Sequence, residues 1–389
     1  MSSFVLAAGG TGGHMVPAHA LAAELRARGH KVALVTDPRG ARIPGLFEGI
    51  DAHVLPAGRL GSGRFLGGPV SWIRALRGIA LGRGKAKALY ARVRPAAVIG
   101  FGGYPAFPAL SAASGLGIPT ILHEQNAVLG RVNRLLAKRA TVIATAYKSV
   151  RRVPPACAAK VQLVGNPVRE EVRILSEMPF PPIDENGVFR LLVTGGSQGA
   201  TTLSEVVPDG LGMLPLAFRQ RLQVTQQCRP EDIEAVRARY AALGIPADLA
   251  TYLPDMPDKL AWSHLVIARA GASTIAELTA AGRPAILIPL PSATDDHQTV
   301  NAREMAASGG ARMIAQSAFT PVELAKQMQK LGLEPDALAF AATKARAVGR
   351  PNATRDLADL VERVANGQPL VPAEIGPAGA PRQPQAAFA

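Results

Sequence analysis

One pattern occurs twice in this chain and constrains its fold more than any other feature. Phe4-Val-Leu-Ala-Ala runs into Gly9-Gly-Thr-Gly-Gly13, and Phe189-Arg-Leu-Leu-Val-Thr runs into Gly195-Gly-Ser-Gln-Gly199. Each is a buried strand feeding a glycine-rich turn and then a helix. Elsewhere, short β-branched and aliphatic runs alternate with helical patterns, which implies βαβ units and parallel sheets. Two Rossmann-like halves are the economical reading, an α/β chain of two doubly wound domains.

The spacing predicts strands at Phe4–Ala8, Val32–Thr36, Ala97–Gly100, Thr120–His123 and Thr141–Ala144 in the first half. In the second half it predicts them at Arg190–Thr194, Leu222–Thr225, Leu265–Ala268 and Ala285–Pro289. Helices are expected at Ala18–Arg28, Glu231–Leu243, Thr274–Ala281 and Val300–Ala307. Domain boundaries follow: residues 1–169, a proline-marked linker at 170–188, and a second domain at 189–367 whose last helix packs back on the first. Residues 368–389, rich in Pro, Ala and Gln, bury too little to fold alone and are expected to be disordered.

Charge is divided unevenly along the 389 residues. Residues 1–169 hold 23 Lys and Arg against 5 Asp and Glu, whereas residues 170–389 hold 20 against 24. Between Ala52 and Arg169 the one carboxylate is Glu124. A basic first half points to an anionic partner, nucleic acid or a membrane surface. Nucleic acid is the weaker of the two, because aromatics make up 5% and no RRM, KH or zinc-finger signature occurs. Two cysteines, Cys157 and Cys228, are too few for a disulfide framework and suit a reducing cytosol. The N-terminal run lacks a charged start and is broken early by glycine, unlike a signal peptide. The longest uncharged stretch, Pro95 to Leu122, is too punctuated by proline and glycine to span hydrocarbon as a helix. A soluble or peripheral protein is expected.

Several motifs carry chemistry. Gly9-Gly-Thr-Gly-Gly-His14 is no Walker A loop, and Met15 stands where a dinucleotide fingerprint needs its last glycine. It is a tight turn whose helix N-terminus offers bare amides to an anion, beside an imidazole able to act as a general base. The loop at 195–199 can cradle a phosphate with its amides and the Ser197 hydroxyl. Arg269-Ala-Gly-Ala-Ser-Thr274 opens a helix expected to be capped by Ser273 or Thr274. Glu277 there suits the two hydroxyls of a ribose, or serves as capping-box partner of Thr274. His123-Glu-Gln-Asn126 and Asp295-Asp-His-Gln298, with Asn301, end strands where ligands gather, and the amides suit sugar hydroxyls. Adjacent acids and histidine do not converge on a metal, so none is expected. Between Arg59 and Tyr90, Phe65, Trp72 and other apolar residues alternate with Arg74, Arg77 and Arg83. That pattern fits an interfacial segment on anionic lipid, or a core-packed helix with a basic solvent face.

Taken together, these residues resemble the MurG family of bacterial glycosyltransferases. The matching motifs are Gly9–His14, Gly100-Phe-Gly-Gly-Tyr104, His123–Asn126, Gly165-Asn-Pro-Val-Arg169, Gly195–Gly199, Arg269–Glu277 and Asp296-His-Gln298 with Asn301. They stand in the family's order over roughly residues 1–365. The resemblance implies a GT-B fold, two Rossmann-like domains facing across a cleft. It implies an inverting, metal-independent transfer of N-acetylglucosamine from UDP-GlcNAc to the C4 hydroxyl of MurNAc-pentapeptide in lipid I, with no cofactor, at an anionic membrane surface. Carried over, Thr11, Gly12 and Gly13 meet the donor from the first domain, Asn126 and Gln298 meet its sugar, and Arg169 lies at the cleft. Ser197 sits at the diphosphate and Leu253 beside the uracil through its backbone. Ala272, Ser273, Thr274 and Glu277 serve diphosphate and ribose, and Tyr104 faces the acceptor side. His14 is the expected base and Glu124 the alternative. Competing readings are a UDP-GlcNAc 2-epimerase on the same fold and a non-enzymatic basic membrane-binding module.

Overall fold

The computed structural model describes residues 1–10, 12–42, 47–56, 69–184, 186–196, 199–332 and 334–370, with the side chains of 69–75 and Pro335 outside that description. Thr11, Phe65, Ser197 and residues 371–389 of the expected tail lie outside it, as do the side chains of Trp72 and Arg74.

The first sheet is formed by β1 (Ser3–Ala8), β2 (Lys31–Thr36), β3 (Asp51–Val54), β4 (Ala97–Gly102), β5 (Thr120–Glu124), β6 (Val142–Thr145) and β7 (Val161–Leu163). The second comprises β8 (Phe189–Thr194), β9 (Leu222–Gln227), β10 (Ala247–Ala250), β11 (Leu265–Ala268), β12 (Ala285–Leu287) and β13 (Ala311–Met313). Their orders are β3-β2-β1-β4-β5-β6-β7 and β10-β9-β8-β11-β12-β13, parallel throughout. Both reverse direction beside the first strand of the unit, between β1 and β4 and between β8 and β11. Open α/β sheets bind ligands at that switch point, outside the carboxyl ends of the strands. The repeated glycine loops leave β1 and β8, so the topology puts both of them there.

Helices α1 (Gly12–Ala27), α2 (Pro69–Val93), α3 (Ala106–Gly115) and α4 (Arg131–Leu136) cover the first sheet, and α5 (Glu170–Leu175) follows it. The second unit adds α6 (Thr201–Gly212), α7 (Leu216–Arg219), α8 (Ile233–Leu243), α9 (Met256–Trp262), α10 (Ala272–Ala281) and α11 (His297–Ser308). It ends with α12 (Pro321–Gly332), α13 (Pro335–Ala347) and α14 (Ala353–Ala365). Leu357, Leu360, Val361 and Val364 of α14 are buried in the first sheet's core with Phe4, Leu21 and Ile99. Arg28 reinforces this seam by donating to Asp359 and Glu362 at 2.6 and 2.8 Å.

Three expectations are corrected. Helix α1 begins at Gly12 rather than Ala18, accommodating Pro17 near its start, so His14 lies within its first turn. The proposed linker contains α5, whose Val172 and Leu175 are buried in the second unit's core; prolines mark only the stretch after it. The N-cap of α10 is Gly271, with Ser273 and Thr274 already inside the helix and no side-chain capping bond. The capping-box role for Glu277 therefore falls away, because Thr274 is not at the cap.

Candidate active site

The Gly9 turn and the turn after β4 are packed into one another. A Cβ on Gly9 would collide with Pro105, and one on Gly103 would lie 2.6 Å from the Gly9 carbonyl oxygen. The register of β1 against β4 slips after Ala7, so Ala8 pairs with Gly102 instead of Phe101. That irregularity brings Gly102, at φ +97°, under the His14 ring, where a Cβ would stand 3.0 Å from Nε2. Tyr104, half-buried, follows on the same turn.

His14 Nδ1 lies 3.0 Å from the Gly9 carbonyl oxygen. A carbonyl only accepts, so Nδ1 carries the proton and Nε2 keeps its lone pair. Burial pushes the His14 pKa below 6.5; the Gly9 bond, Glu124 and Asp37 oppose that shift, and His297 of the second unit adds to it. The ring is a neutral base with its basic nitrogen fixed in place. Asp37, absent from the sequence reading, braces the turn by accepting from the Gly10 and Gly40 amides at 3.2 and 2.8 Å. Its burial favours the neutral acid, but those amides and Arg39 outweigh it and hold the carboxyl low. A lone aspartate after β2 gave no signal in the sequence.

Glu124 has a different task from the one expected of an alternative base. It is 2% exposed. Oε1 accepts from the amide and side chain of Asn126 at 3.1 and 3.2 Å, and Oε2 from the Gly130 amide and Asn133 Nδ2 at 2.7 and 2.9 Å. With both oxygens occupied by donors, it organises the loop from β5 into α4. His123 and Gln125 are buried supports as well: His123 Nε2–H donates to the Gly165 carbonyl while Nδ1 accepts from Gln125. Of that polar run only Asn126 is partly exposed.

On the second unit, Glu277 Oε1 accepts from Arg169 at 3.1 Å. Burial raises the Glu277 pKa and Arg169 opposes the rise. Ser273 Oγ and Arg169 Nε are buried without a hydrogen-bond partner among the described residues, and the first-turn amides of α10 have no side-chain cap. Leu253 is 6% exposed and packed in the core, leaving its backbone as the part able to meet a ligand. Gln298 Oε1 accepts from the Leu290 amide at 2.9 Å, which orients its NH₂. Asn301 is no sugar ligand. Fully buried, it accepts from the Ala127 amide at 2.8 Å and donates to Asn126 and Ala270, joining the two units.

Residues 4–145 match the glycosyltransferase family 28 N-terminal domain and residues 190–363 its C-terminal domain. The chain belongs to glycosyltransferase family 28. Among its relatives is the UDP-N-acetylglucosamine--N-acetylmuramyl-(pentapeptide) pyrophosphoryl-undecaprenol N-acetylglucosamine transferase of Zymomonas mobilis, 61% identical over 94% of this chain and 93% of the relative. The enzyme of the same name from Novosphingobium aromaticivorans is 64% identical over 92% of this chain and 91% of its own. The crystal structure of Acinetobacter baumannii MurG superposes with a TM-score of 0.72 at 30% identity, covering 93% of this chain and all of that one. The two parallel sheets are thus the halves of a GT-B fold. A UDP-GlcNAc 2-epimerase from Neisseria meningitidis, at 15% identity and a TM-score of 0.63, shares the fold alone.

This family 28 chain also carries an amphipathic surface on the first unit. Ala86, Leu89 and Tyr90 bury the C-terminal part of α2 in the core, whereas Leu76 and Leu81 are 59% and 63% exposed near exposed Arg77 and half-buried Arg83. No described helix is long and apolar enough to cross a membrane. Among the described residues no group of three or more His, Cys, Asp or Glu converges as a metal site. Sequence reasoning did not single out Arg229, whose Cγ lies 2.9 Å from where a Cβ on Gly199 would stand, packing its stem against the second glycine loop. Its position just past the end of β9 is the signal that could have found it.

Proposed function

We propose that the chain transfers N-acetylglucosamine from UDP-GlcNAc to the C4 hydroxyl of the MurNAc-pentapeptide of lipid I, forming lipid II for peptidoglycan synthesis. The observation that carries this reading is His14, whose Nδ1–H is taken by the Gly9 carbonyl so that Nε2 keeps its lone pair, close enough to the second unit for His297 to act on it. The acceptor oxygen attacks C1 of the donor sugar on the face opposite UDP, the C1–O bond to the β-phosphate breaks, and configuration inverts. Nε2 takes the hydroxyl proton as the new bond forms. Charge accumulating on the leaving UDP meets the α10 N-terminus and Arg169. Glu277 serves the ribose, Ser273, Thr274 and Ser197 the diphosphate, Leu253 the uracil, and Asn126 and Gln298 the sugar; Thr11, Gly12 and Gly13 are the donor contacts of the first domain.

Incubation with radiolabelled UDP-GlcNAc and a soluble lipid I analogue should move label into the acceptor, and should do so after exhaustive EDTA treatment. Loss of turnover that Mg²⁺ or Mn²⁺ restores contradicts the metal-independent part. Consumption of donor without an acceptor favours the epimerase reading.

The protein works as a peripheral enzyme on the cytoplasmic face of the bacterial plasma membrane, docked through the 59–87 segment. Each Lys or Arg near an anionic surface contributes about 1 kcal/mol, and the exposed leucines insert. Replacing Arg74, Arg77 and Arg83 with Gln should weaken binding to anionic vesicles by up to ~10²-fold at low salt. UDP-GlcNAc affinity should stay intact, and the wild-type attraction should fade toward 1 M salt as screening shortens. Unchanged vesicle binding in the triple variant removes this segment as the anchor.

A further inference from the structure

Helix α11 is tied to the opposite unit by more than the Asn301 bridge. Just before its N-terminus, the Asp295 carboxylate receives Arg134 of α4 at 2.8 Å and Arg152 at 2.6 Å. The backbone at these places is unusual. Asp295 and Asp296 have φ of +56° and +53°, and Arg152 has φ of +64°. Left-handed backbone is disfavoured for a side chain as bulky as arginine and persists where surrounding structure over-determines it, which is typical of ligand clamps and switch regions. Here it occurs at both ends of one ion pair.

The pair connects directly to the site. Arg134 lies on the helix that Glu124 anchors through Gly130 and Asn133. The segment before Arg152 bonds to the Asn126 loop, with the Arg151 amide donating to the Ala127 carbonyl at 2.9 Å. On the far side, Asp295 leads straight into His297 and Gln298. Between the two units, bounded by Tyr147, Asn166, Ile275, Glu304 and Arg350, lies a cavity of about 390 Å³. Ion pairs and hydrogen bonds such as these can break and re-form as the two units move, without repacking a sheet core.

We infer that Asp295, gripped by Arg134 and Arg152, is a cross-cleft latch that holds the two units closed and positions the Gln298 end of α11 over the donor sugar. Asp295 is a positioning residue and touches no reacting atom. The assignment of α11 to the donor rests on the function proposed above; the latch itself does not.

Asp295→Asn separates charge from backbone, because asparagine tolerates the left-handed region. In the full chain it should raise the KM for UDP-GlcNAc roughly tenfold, within the range for residues in direct contact, with kcat little changed. Asp295→Glu should recover most of the loss. The Arg134→Gln/Arg152→Gln pair should match Asp295→Asn, and combining all three should add nothing further, as for partners in one interaction. X-ray scattering of each variant with and without UDP should show a more open protein than wild type. Additive effects, or KM and scattering unchanged in Asp295→Asn, overturn the latch. Opening without any wild-type glycosyl transfer would leave the latch standing and remove the proposed reaction instead.

Discussion

His14→Ala should lower kcat by roughly 10²–10⁴-fold, the usual contribution of a positioned general base. Donor affinity and vesicle binding should be nearly unaffected, because the imidazole acts on a proton that moves only in the transition state. The pH profile supplies an independent check. The proposed reaction needs neutral His14, and burial pushes its pKa below 6.5 while the Gly9 bond opposes. Acidification protonates Nε2 and removes the base, so kcat/KM should fall on the acid side with a midpoint below 6.5 and be insensitive to this group above it. An alanine variant with near-normal kcat would place the base elsewhere. Glu124 is then a poor substitute, since four donors already occupy its oxygens.

Glu277→Ala should raise the KM for UDP-GlcNAc by about 10- to 150-fold, the equivalent of the 1.5–3 kcal/mol that a charged hydrogen bond contributes. One carboxylate oxygen is held by Arg169 at 3.1 Å, and no hydrogen bond among the described residues engages the other. Burial alone favours the neutral acid, and Arg169 opposes it in favour of the carboxylate. Removing the carboxylate takes away the proposed ribose acceptor and frees Arg169 to reorient. The ribose lies far from the reacting C1, so kcat should change much less than KM. Unchanged donor kinetics in a correctly folded variant would remove Glu277 from the donor site.

Central strands and edges of the two sheets were not equally legible. Strands such as Val5–Ala8, Leu191–Thr194 and Leu265–Ala268 are buried on both faces, and that condition writes itself as an unbroken apolar run. The four strands that pattern reading did not find are β3, β7, β10 and β13, the outermost strand at each edge. They are short and mostly half-buried or exposed, so Asp51-Ala-His-Val54 or Ala247-Asp-Leu-Ala250 has no signal of its own. What defines them is the neighbour they pair with.

Fold class, the doubling of the strand–glycine–helix unit and the family motifs can all be read along the chain, because glycine spacing and apolar periodicity are local properties. Burial and hydrogen-bond partners, which only folding sets, are what separate the polar residues of those motifs from one another. His123, Glu124, Gln125 and Asn301 look as ligand-like as Asn126 and Gln298 in one dimension. Burial and partners, set by residues up to 175 positions away as in the Asn126–Asn301 bond, turn the first four into scaffold. The His14 tautomer, the Asp37 brace and the Asp295 latch were equally invisible. Each depends on a distance between groups that only folding brings together, and no local pattern encodes that distance.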